Sequence, residues 1–71
     1  MDLNNIMGIY RHYKGKTYNV IGIAKHCETL EELVVYQAQY GECQIWVRPK
    51  EMFFDIVDVN GEKKARFEKI L

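Results

Sequence analysis

The side chains of this 71-residue chain that could act as nucleophiles, bases or soft-metal ligands are His12, His26, Cys27 and Cys43. Short zinc-binding chains present their ligands in close pairs such as CxxC or HxxxH, and the sequence contains neither spacing. A glutamate adjoins each cysteine, so no neighbouring cation activates either thiol. The sequence therefore predicts no catalytic residue, no metal and no cofactor. A small hydrolase or a redox function around His26 and Cys27 is kept as an alternative.

Aromatic and basic side chains form a second group with a chemical use. The chain holds five tyrosines, three phenylalanines and one tryptophan, which are more rings than so short a chain can enclose. About two or more rings are therefore expected at the surface, where clustered apolar area marks contact sites. Exposed rings stack on a ligand, and neighbouring cations neutralise its anionic groups. The candidate binding residues are Tyr10, Arg11, His12, Tyr13, His26, Glu28, Tyr36, Tyr40, Trp46 and Arg48.

Each of these candidates also has a purely structural interpretation. In a strand at residues 9–13, alternation sends every second side chain toward the core, so part of the aromatic and basic run would simply pack. Trp46 could be the main core residue, with tyrosine hydroxyls reaching water. His26 could brace its own loop by hydrogen bonding. The sequence leaves these alternatives open.

The formal net charge is zero, but the charges are segregated along the chain. Residues 1–26 carry four basic and one acidic side chain, residues 27–62 carry eight acidic and two basic ones, and residues 63–71 carry four basic and one acidic. If the two ends lie side by side they form a modest basic patch. Nucleic-acid binding through this patch is a second alternative, although dedicated nucleic-acid binders are far more basic. Its residues would be Arg11, Lys14, Lys16, Lys63, Lys64 and Arg66.

Short β-rich runs separated by turn signals must position these residues. The predicted strands cover residues 9–13, 17–24, 33–40, 44–48, 55–59 and 65–67, with a bulge or a close backbone approach at Gly22 and one helical turn at 49–53 that begins with Pro49. Thr29 and Glu32 fit a helix capping box. However, the alternation of apolar and polar residues after them favours a strand. Asn60-Gly61 is a strong signal for a type I′ hairpin.

Five to six short antiparallel strands cannot bury two faces of a flat sheet in so few residues. We therefore predict an all-β fold, a small SH3-like barrel with one short helical turn, because closure creates a core and removes exposed edges. Residues 1–7 are predicted to form a flexible tail, and residues 8–71 a single domain.

The compartment is predicted from what the sequence lacks. No apolar run approaches the roughly 20 residues of a membrane-spanning helix, and the first residues lack the features of a signal peptide. We expect a cytoplasmic protein that does not engage membranes, with free thiols. It is expected to be a monomer or a weak homodimer.

Four segments resemble one known family. They are GIYRHYKG (8–15), AKHCETLEELVVYQAQYG (24–41), WVRPKEMF (46–53) and VNGEKKARF (59–67), in this order along the chain. They are similar to a bacterial family catalogued as domain of unknown function 1653. That family usually has serine at the position of Cys27 and often proline at that of Ala65. The resemblance implies that Cys27→Ser is harmless, and it carries over no catalytic residues.

The leading hypothesis from the sequence is an uncharacterised, non-catalytic binding module. It presents Tyr10, His12, Tyr36, Tyr40, Trp46 and Arg48 to a protein segment or a small ligand. The surplus of aromatic rings and the absence of net charge motivate it. Salt dependence separates it from nucleic-acid binding, because contacts to phosphates weaken steeply as salt rises.

Overall fold

The computed structural model describes the backbone of residues 3–71 and the side chains of residues 5–71. Within this part of the chain there are seven strands and two short helices. In chain order they are α1 (Leu3–Ile6), β1 (Gly8–His12), β2 (Thr17–Lys25), β3 (Glu32–Ala38), β4 (Ile45–Pro49), α2 (Lys50–Phe53), β5 (Ile56–Val59), β6 (Glu62–Ala65) and β7 (Phe67–Lys69).

The strands form two antiparallel sheets. Five strands pair in the order β4-β3-β2-β1-β7, and β5 pairs with β6 as a separate hairpin. The prediction of a mostly β fold with short antiparallel strands and a helical turn, α2, is confirmed. The number of strands is larger than predicted because the segment after the hairpin turn holds two strands, which a bend at Arg66 separates. Arg66 pairs there with Asp55, with 2.6 Å between Nε and Oδ1.

The large sheet is not closed into a barrel, which corrects the expectation of closure. Its edge strands β4 and β7 lie at opposite ends of the strand order and do not pair. The physical reason lies at Pro49, which ends β4 and has no N–H to continue a ladder. The chain then enters α2, and the ring of Phe53 stacks on that of Phe67 in β7 at 4.1 Å. Packed side chains therefore fill the gap between β4 and β7, which main-chain hydrogen bonds would close in a barrel.

The alternating residues of β3 form a strand, as predicted, and not a helix. Val34, Tyr36 and Ala38 are buried on one face, while the residues between them are partly exposed. Opposite them, the register of β2 shifts between Val20 and Gly22, which confirms the predicted bulge. A bulge increases the local twist of a strand, so β2 can take part in a curved sheet over its nine residues.

The turn between β5 and β6 has the chemistry that the sequence indicates. Asn60 and Gly61 both have positive φ, 53° and 84°. The type I′ turn requires this combination. The N–H of Gly61 also donates to Oδ1 of Asp58 at 3.0 Å, which holds the turn in place.

The core lies between the curved sheet and α2. Its buried members are Ile6, Tyr10, Val20, Val34, Tyr36, Phe53 and Phe67. Ile6 belongs to the segment predicted as a tail, whereas residues 1 and 2 of that segment lie outside the described residues. The boundary between tail and domain stays a prediction. No helix among residues 3–71 has the length and apolarity needed to cross a membrane.

Replacing Phe53 by alanine tests the role of the stacked rings. The side chain is fully buried, so Phe53→Ala is expected to cost about 3–5 kcal/mol. That is comparable with the whole free energy of unfolding of a domain this short. Urea denaturation followed by circular dichroism measures it. The control Ile56→Ala, at an exposed position, should stay within about 0.5 kcal/mol of the wild type. An unchanged unfolding midpoint for Phe53→Ala would contradict this account of the core.

Candidate functional site

The inner face of the five-stranded sheet, meaning the side that carries the core, also carries the candidate site. Residues directly opposite one another in neighbouring strands project to the same face. Trp46 lies opposite Tyr36, and Arg48 lies opposite Val34. Tyr36 and Val34 are buried in the core, so Trp46 and Arg48 project from the inner face as well.

Phe67 connects the core to this site. One side of its ring stacks on Phe53. The rings of His12, Tyr18 and Tyr36 approach it edge-on, with centroid separations of 4.9, 5.6 and 5.5 Å. The guanidinium carbon of Arg48 lies 5.6 Å from the ring centroid, within cation–π distance. Phe67 therefore fixes the positions of both the aromatic and the basic members of the site.

Two of the predicted contact residues are part of the core. Tyr10 is buried, and its hydroxyl donates to the carbonyl of Ile6 at 2.7 Å. Tyr36 is buried too, and its hydroxyl accepts a hydrogen bond from Nε of Arg48 at 3.4 Å. Neither ring is presented to a ligand. Alternation in β1 and β3 places both on the inner face, where α2 covers them.

The exposed rings of Tyr40 and Trp46 line a small groove at the uncovered part of the inner face. Tyr40 is 39% exposed and Trp46 is 48% exposed. We call this the Trp46 groove. It has a volume of about 170 Å³ and is lined by Ala38, Tyr40, Gly41, Glu42, Gln44 and Trp46.

A tyrosine pair holds one wall of the Trp46 groove. The hydroxyls of Tyr18 and Tyr40 share a hydrogen bond of 2.5 Å, and their rings meet edge-on at 5.5 Å. Burial, and then this hydrogen bond, raise the pKa of Tyr18 to about 12. The ammonium of Lys16 lies 4.6 Å from the centroid of the Tyr40 ring. This wall of the groove is therefore aromatic, and a cation lies against its Tyr40 ring.

His12 and Arg48 supply the electrostatic character of the inner face beside Phe67. Nδ1 of His12 accepts a hydrogen bond from the N–H of Lys14 at 3.1 Å. Burial lowers the pKa of His12, and the nearby charges of Arg48, Arg66 and Lys14 lower it further. Burial is the larger cause, and the three cations add a positive potential at the imidazole. This potential favours an anionic group.

A second concavity, the basic pocket, is lined mainly by residues of β1, β6 and β7. It has a volume of about 440 Å³ and is lined by Arg11, His12, Tyr13, Lys63, Lys64, Ala65 and Glu68. The pairing of β1 with β7 brings the two basic ends of the chain together. The remaining basic residues of the predicted patch do not line this pocket: Lys14 lies near the Tyr13 ring, Lys16 at Tyr40, and Arg66 in its ion pair with Asp55.

His26 and Glu28 lie apart from both concavities. His26 directly follows the end of β2, whereas His12 lies beyond the opposite end of that strand, so the two histidines do not share a site. Nδ1 of His26 accepts hydrogen bonds from the N–H groups of Glu28 and Thr29 at 3.1 and 3.3 Å. His26 thus braces the turn. Among residues 3–71, no three His, Cys, Asp or Glu side chains lie close enough to hold a metal ion.

Sequence reasoning missed Tyr18. The signal was available, because a hairpin with its turn near Lys14-Gly15 places Tyr18 opposite Tyr10. It also missed a cavity of about 470 Å³ beside α2, lined by Leu30, Glu31, Glu32, Lys50, Glu51 and Phe54. These residues come from the β2–β3 turn and the first residue of β3, and from α2 and the residue that follows it. No local pattern brings those two segments together.

Comparisons with known proteins agree on one family. The sequence profile of the family described as "Protein of unknown function (DUF1653)" matches residues 8–69. The chain is also similar to the crystal structure of a protein belonging to DUF1653 from Bordetella bronchiseptica. The sequences are 33% identical, the TM-score is 0.83, and the match covers 90% of this chain and 85% of that one. No protein with a curated description matches.

The lowered pKa of His12 predicts how stability depends on pH. In the folded state the pKa of His12 lies below its ordinary value of 6.5. Above that ordinary value the imidazole is neutral in both the folded and the unfolded chain, so its full contribution to the free energy of unfolding is present. It falls as pH drops toward the folded pKa, because the unfolded chain binds the proton first. The hydrogen bond from Arg66 lowers the pKa of Asp55. The stability that Asp55 contributes is therefore lost only as the pH falls below its ordinary pKa of 3.8.

We therefore expect wild-type stability to decline as the pH falls through and below the ordinary pKa of 6.5, and His12→Gln to reduce that slope. Arg48→Gln should raise the pKa of His12, because it removes a neighbouring positive charge. Urea denaturation and NMR titration of the imidazole measure these effects. A His12 that titrates above its ordinary value, or that ignores the loss of Arg48, would contradict the geometry of the site.

Proposed function

This chain belongs to the DUF1653 family, a family of unknown function, and we propose that it is a non-catalytic binding module. Its ligand is an extended protein segment, or a small ligand of the same chemistry, that places an apolar group in the Trp46 groove and an acidic group near Arg48 and Lys16. The observation that carries the proposal is the half-exposed ring of Trp46 on the face of the sheet that otherwise forms the core.

The apolar part of the proposed ligand follows from the two exposed rings. A tryptophan and a tyrosine bury large apolar areas on contact and lose little conformational freedom, and tryptophan and tyrosine are frequent binding hot spots. The Tyr40 ring is already held by its hydrogen bond to Tyr18, and Trp46 stands on a strand that is paired with β3. Binding therefore does not have to order Tyr40.

The size of the groove favours an extended segment. Pockets that enclose small molecules commonly have volumes of about 300–1,000 Å³, whereas the Trp46 groove has about 170 Å³. It accommodates one side chain and leaves the rest of a ligand on the surface. Peptide-binding grooves of small β domains work in this way, with aromatic side chains that contact an extended chain.

The acidic part of the proposed ligand follows from the charges on either side. Arg48 is held by the Tyr36 hydroxyl and the Phe67 ring, and Lys16 lies against the Tyr40 ring. A guanidinium that is already oriented binds a carboxylate with little further ordering. Glu42 lies in the groove wall and would disfavour an acidic group there. The acidic group of the ligand therefore lies outside the groove itself.

Amide-shift mapping with pools of short acidic peptides, each carrying one leucine, proline or aromatic residue, tests the proposal. We expect shifts at Trp46 and Tyr40. Trp46→Ala should weaken binding about tenfold or more. Arg48→Gln should weaken binding and reduce its dependence on salt. In a parallel experiment, small carboxylic acids that carry an apolar group replace the peptides. Binding of these acids in preference to the peptides would identify the ligand as a small molecule and not a protein segment.

The matched control is Ile56→Ala, which removes an exposed apolar side chain far from the groove residues in sequence. It should bind the same peptides as the wild type does. If Trp46→Ala and Arg48→Gln are folded and bind every active peptide with wild-type affinity, the proposed face is wrong.

Nucleic-acid binding is the second candidate, and the basic pocket is the observation that favours it. Arg11, Lys63 and Lys64 line this concavity, together with Glu68, which lies opposite Arg11. In this case a single-stranded oligonucleotide should bind with a salt slope of about 0.7 per neutralised phosphate. The double variant Lys63→Ala/Lys64→Ala should lower both the affinity and the slope, while the exposed control Lys25→Ala should change neither. Binding without salt dependence would argue against this candidate.

A further inference from the structure

The strand β4 forms an open edge of the large sheet. Among the described residues it pairs only with β3. The N–H of Ala38 donates to the carbonyl of Gln44 at 2.9 Å. Hydrogen-bonded and non-hydrogen-bonded pairs alternate along an antiparallel ladder, so the main-chain groups of Trp46 point toward β3. Those of Ile45 and Val47 point away from the sheet and can accept another strand.

The side chains of this edge are apolar and exposed. Ile45 is 59% exposed and Val47 is 58% exposed, and they lie on the outer face while Trp46 lies on the inner face. Residues 43–47 carry no charge, and the ladder between β3 and β4 runs without a bulge. Natural sheets usually protect an open edge with a charged side chain, a bulge or a very short strand. Arg48 and Pro49 protect the end of β4, but none of these features lies along Ile45–Val47.

The opposite edge of the same sheet shows such protection. The strand β7 has only three residues, and two of them are the charged Glu68 and Lys69. The two edges therefore differ in character, which is the pattern expected when one of them pairs with another strand and the other does not.

We propose that β4 pairs with β4 of a second copy of this chain, antiparallel, about a two-fold axis at Trp46. In this register Ile45 of one copy lies opposite Val47 of the other, and the two outward-facing residues exchange main-chain hydrogen bonds. Ile45 and Val47 of both copies then form one apolar cluster on the outer face. A two-fold axis requires such self-complementarity, and the segment Ile45–Val47 provides it.

Charges at the two ends of β4 favour the antiparallel arrangement. Glu42 precedes the strand, whereas Arg48 and Lys50 lie at its end. Antiparallel pairing brings the acidic end of one copy toward the basic end of the other, and parallel pairing would bring like charges together. Within its own chain, Lys50 lies 3.6 Å from Glu32, and Arg48 contacts Tyr36 and Phe67, so the charge pattern favours the orientation without requiring a direct ion pair between the copies.

The pairing goes beyond the proposed ligand-binding function and has a consequence for it. The two Trp46 residues lie opposite each other on the inner faces. The Trp46 grooves of the two copies therefore join into one surface with two-fold symmetry.

Sedimentation velocity of the full chain tests the pairing. We expect a monomer–dimer equilibrium, and we expect Val47→Lys to raise the dimer dissociation constant about tenfold or more, because a charge enters the apolar cluster. The matched control is Ile56→Lys, which changes a side chain of similar exposure, 60%, on β5. It should leave the equilibrium unchanged. A wild-type chain that stays monomeric at millimolar concentration overturns the inference, as does an equal effect of both variants.

Cross-linking tests the register separately. In a Cys27→Ser/Cys43→Ser background, Trp46→Cys places two thiols opposite each other at the two-fold axis, within reach of a disulfide. Mild oxidation should convert it to a covalent dimer much faster than Ile45→Cys, whose two copies are offset along the strands. Equal rates, or no dimer, overturn the proposed register. Peptide binding by Val47→Lys reports on the Trp46 groove independently, so either proposal can fail alone.

Discussion

The parallel stack of Phe53 on Phe67 is the contact on which the rest of this structure depends. The centroids are 4.1 Å apart and the ring planes differ by 4°. Phe53 ends α2, and Phe67 begins β7. The stack therefore joins the helix that follows one edge of the sheet to the strand that forms the other edge. The domain covers its core at this point with side chains and not with a hydrogen-bonded ladder. For a chain of 71 residues this arrangement buries two large rings with little additional backbone.

The same stack determines the chemistry of the inner face. Phe53 covers one side of the Phe67 ring. The other contacts of that ring are with His12, Tyr18, Tyr36 and Arg48. These contacts are why a histidine with a lowered pKa and an oriented guanidinium occur beside an aromatic cluster. Arg48 would otherwise extend into solvent with the freedom of a long side chain, and its position next to the Trp46 groove would not be defined. The site is thus an extension of the core.

Several features could be predicted because they depend on neighbours in sequence. Alternation in β3 predicted its strand, Gly22 predicted the bulge in β2, and Asn60-Gly61 predicted the β5–β6 turn. The bend at Arg66 could not be predicted in this way, because it accompanies an ion pair with Asp55, eleven residues earlier. Closure of the sheet was predicted wrongly for a related reason. Whether two edges meet depends on what lies between them, and that is the ring of Phe53.

By itself, the sequence determined the class of the fold, the family, and which side chains share a face, because a strand has a period of two and the turns indicate where each strand ends. Only the tertiary structure decided which rings of that face remain available. Tyr36 and Trp46 are direct cross-strand partners with the same orientation, yet one is buried and the other is half exposed. The difference arises because the rings of Phe53 from α2 and Phe67 from β7 pack on Tyr36 and leave the β4 edge uncovered. Coverage is a property of segments distant in sequence, so no local pattern records it.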